Sequence, residues 1–159
     1  MHLGIDPLIG SNGAQSDETK RPRQTRRSLP IALLRARETV MSKFRPMLNR
    51  HDINEQQWRV IRMLGEYGEM DASQLAEKAL VLAPSLTRML KSLKARKLIK
   101  QRIDKGDKRR SLLSITPDAQ AMIDEITPES AAIYAEIEAT FGKDDIEKLL
   151  DLLETISNI

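Results

Sequence analysis

Residues 71–116 contain two helix patterns separated by a short turn and followed by two β-compatible runs, an order that few folds accommodate. Asp71 is followed three positions later by Gln74, a reciprocal capping pair, and then by the apolar Leu75, Ala76 and Ala79. A short helix is therefore predicted from Ala72. After Leu80-Val81-Leu82, Pro84 stands where a first helical turn tolerates a missing N–H. Leu86, Met89, Leu90 and Leu93 then recur at helical spacing and define a buried stripe. The opposite face carries Ser85, Thr87, Arg88, Lys91, Ser92 and Lys94, short hydrogen-bonding groups and cations suited to phosphates and to base edges in a major groove.

Beyond this helix, the runs 98–103 and 111–115 flank Asp104-Lys105-Gly106-Asp107-Lys108-Arg109-Arg110. Gly106 and the two aspartates make that link a turn, so the runs pair as a hairpin with a basic tip. A cation at such a tip, beside a recognition helix, is placed to enter a minor groove, whose narrow walls concentrate negative potential. Arg109 or Arg110 is the expected residue. The pattern as a whole is a winged helix-turn-helix, and the fold class is mainly α, or α+β by strict count. The expected DNA-contacting set is Pro84, Ser85, Thr87, Arg88, Lys91 and Ser92 on the helix, with Lys105, Lys108, Arg109 and Arg110 on the wing.

The formal net charge is only +3, but its distribution is uneven. From Arg88 to Arg110 the cations are Arg88, Lys91, Lys94, Arg96, Lys97, Lys100, Arg102, Lys105, Lys108, Arg109 and Arg110, against Asp104 and Asp107 alone. From Pro117 onward, acidic side chains outnumber Lys143 and Lys148 heavily. A chain segregated in this way orients one face toward a polyanion, although solvated charged faces are the plainer reading.

With 159 residues the chain is long enough for one domain with its own core, and with 3% aromatic content aliphatic side chains must build that core. The absence of cysteine excludes disulfides and thiolate metal sites and suits a reducing cytoplasm, the expected location. No segment approaches a membrane span or the apolar core of a secretion signal. Residues 1–27 lack apolar periodicity and end in Lys20, Arg21, Arg23, Arg26 and Arg27, which predicts a disordered basic arm, either tracking phosphates or only solubilising. The remainder, 28–159, is read as a single domain: 54–116 as the DNA-binding module, with 28–50 and 117–159 as dimerisation helices. Helix one is expected over 29–48, capped by Ser28, with Pro30 in its first turn. Asn54 and Gln57 cap helix two, which ends near Gly65 or Tyr67. A fifth helix starts at Thr116-Pro117 and ends at Gly142, and Pro128 predicts a kink at 125–127. The sixth, over 144–156, carries Ile146, Leu149, Leu150, Leu153 and Ile156 on one side. These stripes either interdigitate around a twofold axis, spacing two recognition helices for a pseudo-palindromic operator, or pack back on their own chain.

Leu75-Ala76, Thr87-Arg88 and the wing pattern Asp107-x-Arg109 running into Ile115-Thr116 resemble the MarR-type winged-helix regulators of bacteria. Within that family, Ile31-Ala32-Leu33-Leu34, Ala36-Arg37-Glu38, Phe44-Arg45-Pro46, Arg50-His51 and Glu55-Gln56-Gln57-Trp58-Arg59 are similar to the branch that represses homoprotocatechuate (4-hydroxyphenylacetate) degradation. The resemblance spans residues 29–158 and implies a homodimeric repressor that leaves its operator when a phenolic acid binds. It further implies an effector site between the dimer helices and the DNA-binding module, where Arg35, Arg37, Met41, His51, Trp58 and Arg59 fall. An arginine there can clamp a carboxylate, His51 can hydrogen-bond a phenol, and Trp58 can form a flat wall. Equally, Trp58 serves as a core anchor, Arg37 pairs with a carboxylate across the dimer, and His51 caps a helix end. The chain departs from the family pattern at Lys97, where a glycine usually follows the recognition helix. Either the helix runs on, or Lys97 is held in a strained left-handed conformation at a cost of about 1 kcal/mol.

Other chemistries find little support. His2 and His51 are the only histidines, so no metal site is expected, and no cofactor motif is present. Neighbouring carboxylates such as Asp124-Glu125 and Asp144-Asp145 diverge by about 100° on a helix and do not converge on one substrate. An enzyme is not expected. Two alternatives to the leading reading are a winged-helix module that binds an acidic protein without DNA sequence preference, and a regulator of the same family that answers to a different phenolic, such as a hydroxycinnamate.

Overall fold

The computed structural model describes residues 24–159. The chain divides into two compact units, Met1–Thr39 and Val40–Ile159. Residues 1–23, which hold most of the expected basic arm, lie outside the described residues, and its last part, Thr25–Arg27, forms a single 3-10 turn. In the first unit the described residues continue into α1 (Leu29–Arg50), where Leu29, Ile31, Leu33 and Leu34 are exposed. The helix runs two residues beyond the expected end, through Pro46.

The second unit contains the end of α1 followed by α2 (Glu55–Tyr67), β1 (Met70–Asp71), α3 (Ala72–Ala79), α4 (Ala83–Ala95), β2 (Ile99–Ile103), β3 (Ser111–Ile115), α5 (Pro117–Phe141) and α6 (Lys143–Ser157). The strands form an antiparallel sheet in the order β1-β3-β2, with Met70 opposite Leu113 and Gln101 opposite the same residue on the other side. β1 has only two residues, too few for an alternating pattern to show in the sequence.

Both predicted capping boxes form. Asn54 and Gln57 exchange bonds of 2.9 and 3.1 Å at the start of α2, and Asp71 and Gln74 do the same at α3. Thr116 caps α5 by accepting from the Ala119 N–H at 3.2 Å, with Pro117 in the first turn. Leu86, Met89, Leu90 and Leu93 of α4 are buried as the spacing predicts. They join Val60, Ile61 and Leu64 from α2, Leu75 from α3, Leu113 from β3, and Ile123 and Ile126 from α5 in one aliphatic core. α2 continues past Gly65 to Tyr67, and a Cβ at position 65 would stand 3.0 Å from the Ile123 Cδ1 atom of α5. α5 continues through Pro128 without ending. α6 buries none of its residues, and Leu149, Leu150 and Leu152 remain exposed together with Tyr134 and Phe141 of α5.

Three helix ends are closed by left-handed residues other than glycine: Asp52 (φ 52°), Leu80 (φ 52°) and Lys97 (φ 60°). Each belongs to a paired-bond termination. Lys97 N–H donates to Lys94 O at 2.9 Å and Leu98 N–H to Leu93 O at 2.9 Å, so α4 ends here and does not run on. Leu80 and Val81 bond back to Glu77 and Ala76, and Asp52 and Ile53 to Asn49 and Leu48, in the same way. The Thr116 hydroxyl adds a 2.6 Å bond to the Lys97 carbonyl, fixing the exit of the recognition helix against the start of α5.

A left-handed conformation costs a residue with a Cβ about 1–2 kcal/mol, whereas glycine avoids that cost but loses about 0.4–1 kcal/mol through its freer unfolded state. Lys97→Gly is therefore expected to raise the unfolding free energy by about 0.5–1 kcal/mol. Urea denaturation at fixed protomer concentration checks this; a lowered midpoint would show that the Lys97 side chain contributes more than its backbone strain removes.

Candidate nucleic-acid interface

The recognition helix α4 presents Pro84, Thr87, Arg88, Lys91 and Ser92 to solvent, with Ser85 half-buried beside them. Its buried stripe fixes this orientation, since the residues between Leu86, Met89, Leu90 and Leu93 have no other face to occupy. The Thr87 hydroxyl turns back to the Ala83 carbonyl at 3.1 Å. Leu80 and Leu82, in the turn ahead of the helix, are 80% and 77% exposed, an apolar tip not singled out in the sequence because both look like core residues there.

The wing is built by its aspartates. Asp104 Oδ1 accepts from Gly106 N–H at 2.9 Å, Asp107 Oδ1 accepts from Arg109 N–H at 3.0 Å, and Asp104 N–H closes the loop onto Arg110 O at 2.9 Å. Lys105, Lys108, Arg109 and Arg110 all lie on the exposed part of the hairpin, yet the two arginines do different things. The Arg109 side chain is 92% exposed, with only a 3.3 Å contact to Asp107 Oδ1. Arg110 instead reaches back to the body of the module, donating to Asp71 Oδ2 at 2.9 Å with Asp104 Oδ2 at 3.8 Å. Asp71 also caps α3, and the Gln74 backbone N–H, followed by Arg110, holds its carboxyl below the ordinary carboxylate pKa.

Two further arginines of the basic stretch are committed to the fold. Arg102 makes a two-point pair with Glu69, which raises its pKa above the ordinary value and ties β2 to the segment ahead of β1. Arg96 donates to the carbonyl oxygens of Asp52 at 2.5 Å and His51 at 3.1 Å, joining the end of α4 to the corner between α1 and α2. Between α4 and the hairpin lies a cleft of about 400 Å³, lined by Ala72, Thr87, Leu90, Lys91, Lys94, Gln101, Ser111 and Leu113. Lys94 Nζ donates to Gln101 Oε1 across it, and Gln101 Nε2 donates to Ser111 Oγ. Gln101 and Ser111 were not singled out in the sequence. Their role depends on the strand register, which places positions 101, 111 and 113 on the sheet face turned to α4.

The residues expected to hold an effector are spread over both units. Arg35 and Arg37 are exposed on the first half of α1. Met41 and Trp58 are half-buried against the aliphatic core, with the Arg62 guanidinium 6.0 Å from the Trp58 ring. His51 is half-buried at the α1–α2 corner. Arg59 is half-buried on α2, and its Nε is buried without a hydrogen-bond partner.

Comparison with known proteins agrees with the geometry. Residues 53–111 match the MarR family model. The chain is 40% identical to the homoprotocatechuate degradative operon repressor of Escherichia coli, over 80% of this chain and 86% of that protein. It is 39% identical to the HTH-type transcriptional regulator FarR of Neisseria gonorrhoeae, over 83% of this chain and 90% of that protein. Among solved structures, NadR in complex with 4-hydroxyphenylacetate superposes with a TM-score of 0.75 at 37% identity, covering 82% of this chain and 96% of that one. The chain belongs to the MarR family. It is a transcriptional regulator, not an enzyme, and MarR regulators bind operator DNA as dimers. Among the described residues no helix is long and apolar enough to cross a membrane.

For a MarR regulator with this wing, Arg109→Ala is expected to weaken operator binding while leaving the melting temperature unchanged. Arg110→Ala is expected to lower the melting temperature, because it removes the tie between wing and α3. Anisotropy and thermal denaturation on the two variants separate these roles; equal melting temperatures would sink the clamp assigned to Arg110. Asp71, with its pKa depressed in the folded state, contributes stability that is present above the ordinary carboxylate value and is lost as pH falls through the folded one. Asp71→Asn should accordingly flatten the acid limb of the stability profile, measured by urea midpoints from neutral pH downward.

Proposed function

We propose that this protein is the ligand-responsive repressor of an aromatic-acid catabolic operon, the homoprotocatechuate/4-hydroxyphenylacetate class, and that a phenolic acid releases it from its operator. The observation that carries the reading is the likeness to a homoprotocatechuate operon repressor through most of both chains, joined to a likeness in fold and sequence to a regulator solved with 4-hydroxyphenylacetate. In this reading Pro84, Ser85, Thr87, Arg88, Lys91 and Ser92 contact DNA from α4. Lys105, Lys108 and Arg109 contact it from the wing, and Arg110 holds the wing in place. The module 54–116 reads DNA, while 28–50 and 117–159 dimerise. The exposed Leu149, Leu150 and Leu152 of α6 and Phe141 of α5 support that assignment, because large apolar side chains left in water gain by burial against a partner surface.

The effector contacts are assigned to Arg35, Arg37, Met41, His51, Trp58 and Arg59. Arg59 has the strongest physical support. A buried guanidinium N–H without an acceptor costs free energy that a ligand carboxylate recovers by accepting from it. Trp58 beside it on α2 retains partial exposure while packing on the core, so it can wall an aromatic ring without leaving its place.

Fluorescence anisotropy with the upstream DNA, titrated with homoprotocatechuate, 4-hydroxyphenylacetate and a hydroxycinnamate, tests the reading. Release by either of the first two acids is the expected result; release by the hydroxycinnamate alone would replace the inducer, and no sequence preference in DNA binding would sink the repressor. Arg59→Ala is expected to leave DNA affinity intact and to weaken the response to the acid at least tenfold.

A further inference from the structure

A duplex that receives a recognition helix in its major groove and a wing tip in the adjacent minor groove must pass one sugar-phosphate backbone between the two, because that backbone separates the grooves. In this module the space between the two elements is the cleft bounded by α4 and the β2–β3 hairpin. We propose that the cleft seats one backbone phosphodiester with its deoxyribose, that Lys94 is the phosphate contact, and that Gln101 and Ser111 are positioning residues that aim it. The proposal rests on DNA binding by the module and is independent of the effector.

The lining fits such an occupant. Lys91 and Lys94 are its charged groups, and none of the lining side chains is acidic. They stand at helical spacing on one wall, whereas Leu90 and Leu113 supply an apolar floor. Cations above an apolar floor match an anionic phosphate carried on a deoxyribose ring better than they match a base edge, which needs paired donors and acceptors. A volume near 400 Å³ holds about a dozen waters, which a sugar and its phosphate can displace.

Lys94 differs from the other cations of α4 in being held. A free lysine surrenders much of its rotamer freedom when it binds a phosphate. Here the ammonium donates to Gln101, and Gln101 is itself oriented by Ser111 on the neighbouring strand. An ammonium has three donors, so the bond to Gln101 leaves two for an incoming phosphate. The chain Lys94-Gln101-Ser111 also crosses from α4 to both wing strands, so the same bonds that aim the lysine set the separation of helix and wing.

The test uses the full-length dimer and a duplex from its upstream region that the unaltered protein binds. Each neutralised phosphate contributes about 0.9 to the slope of log K against log salt, and a dimer carries two copies of Lys94. Lys94→Gln is therefore expected to reduce the slope by about 2 and, at 0.1 M salt, to weaken binding by roughly 60-fold on operator and non-operator DNA alike. Of the positions where a single methylphosphonate costs the unaltered protein affinity, one in each half-site should cost the Lys94→Gln variant nothing. Gln101→Ala should weaken binding less than Lys94→Gln and add nothing in the double variant. An unchanged salt slope for Lys94→Gln, a loss confined to operator DNA, or a methylphosphonate penalty that persists at every position would overturn the phosphate seat. Additive losses in the double variant would overturn the positioning role of Gln101. Melting temperatures equal to that of the unaltered protein show that the variants fold.

Discussion

The Asp71 carboxylate is the junction on which the DNA-reading module depends. Its backbone pairs with Leu112 in the sheet, one oxygen caps α3 through the Gln74 N–H, and the other receives Arg110 from the wing. One side chain thus ties the start of the helix-turn-helix to the hairpin that follows it, 39 residues later in the chain. The carboxylate is charged for both purposes. A cap accepting from a backbone N–H and an ion pair with a guanidinium both favour ionisation, so the two contacts reinforce one another. Because α3, α4 and the wing share the core of Leu75, Leu86, Leu93 and Leu113, the junction sets the placement of elements whose internal shape is already determined by packing.

The basic stretch between Arg88 and Arg110 contains arginines that clamp the protein's own oxygens and cations that face solvent, with Lys94, bonded to Gln101, between the two. Arg96, Arg102 and Arg110 are bound to the protein itself, through the carbonyl oxygens of His51 and Asp52, through Glu69, and through Asp71. Arg88, Lys91, Lys105, Lys108 and Arg109 remain on the surface facing solvent. The division follows the chemistry of the side chains. The planar fork of arginine makes it the better clamp for two oxygens, and the three clamping cations are all arginines. A count of charges along the chain therefore overstates the positive field that this face presents.

The legible part of this structure was the part written in local patterns. The stripe of α4 and the capping pairs at Asn54 and Asp71 follow from residues three or four apart, and the aspartate-built turn of the wing from residues two apart. Lys97 stood out only against the family pattern, which has a glycine there and left two alternatives, a helix that runs on or a left-handed lysine; the second is what forms. Leu80 adopts the same conformation with nothing in its type to announce it, whereas Asp52 belongs to a residue type that visits that region more readily. Arg109 and Arg110 looked equivalent, because what separates them is a carboxylate far upstream. Gln101 and Ser111 were silent for the same reason: a residue's facing on a strand is set by register, which the wing turn and the core decide together.

Rigidity of the recognition helix follows from how many sides hold it. Its buried stripe fixes its rotation, the paired bonds at Lys97 and Leu98 fix its end, and Arg96 joins that end to the corner between α1 and α2. On its flank, Lys94 bonds through Gln101 to the wing. Close-packed interiors switch between discrete arrangements and do not deform continuously, so a helix restrained in this way reads DNA in one shape. For a dimeric regulator with two such modules, the quantity left free to vary is the separation and tilt of the modules relative to the two half-sites. An effector can shift such a regulator only by as much as its affinity differs between the geometry that matches the operator and the one that misses it.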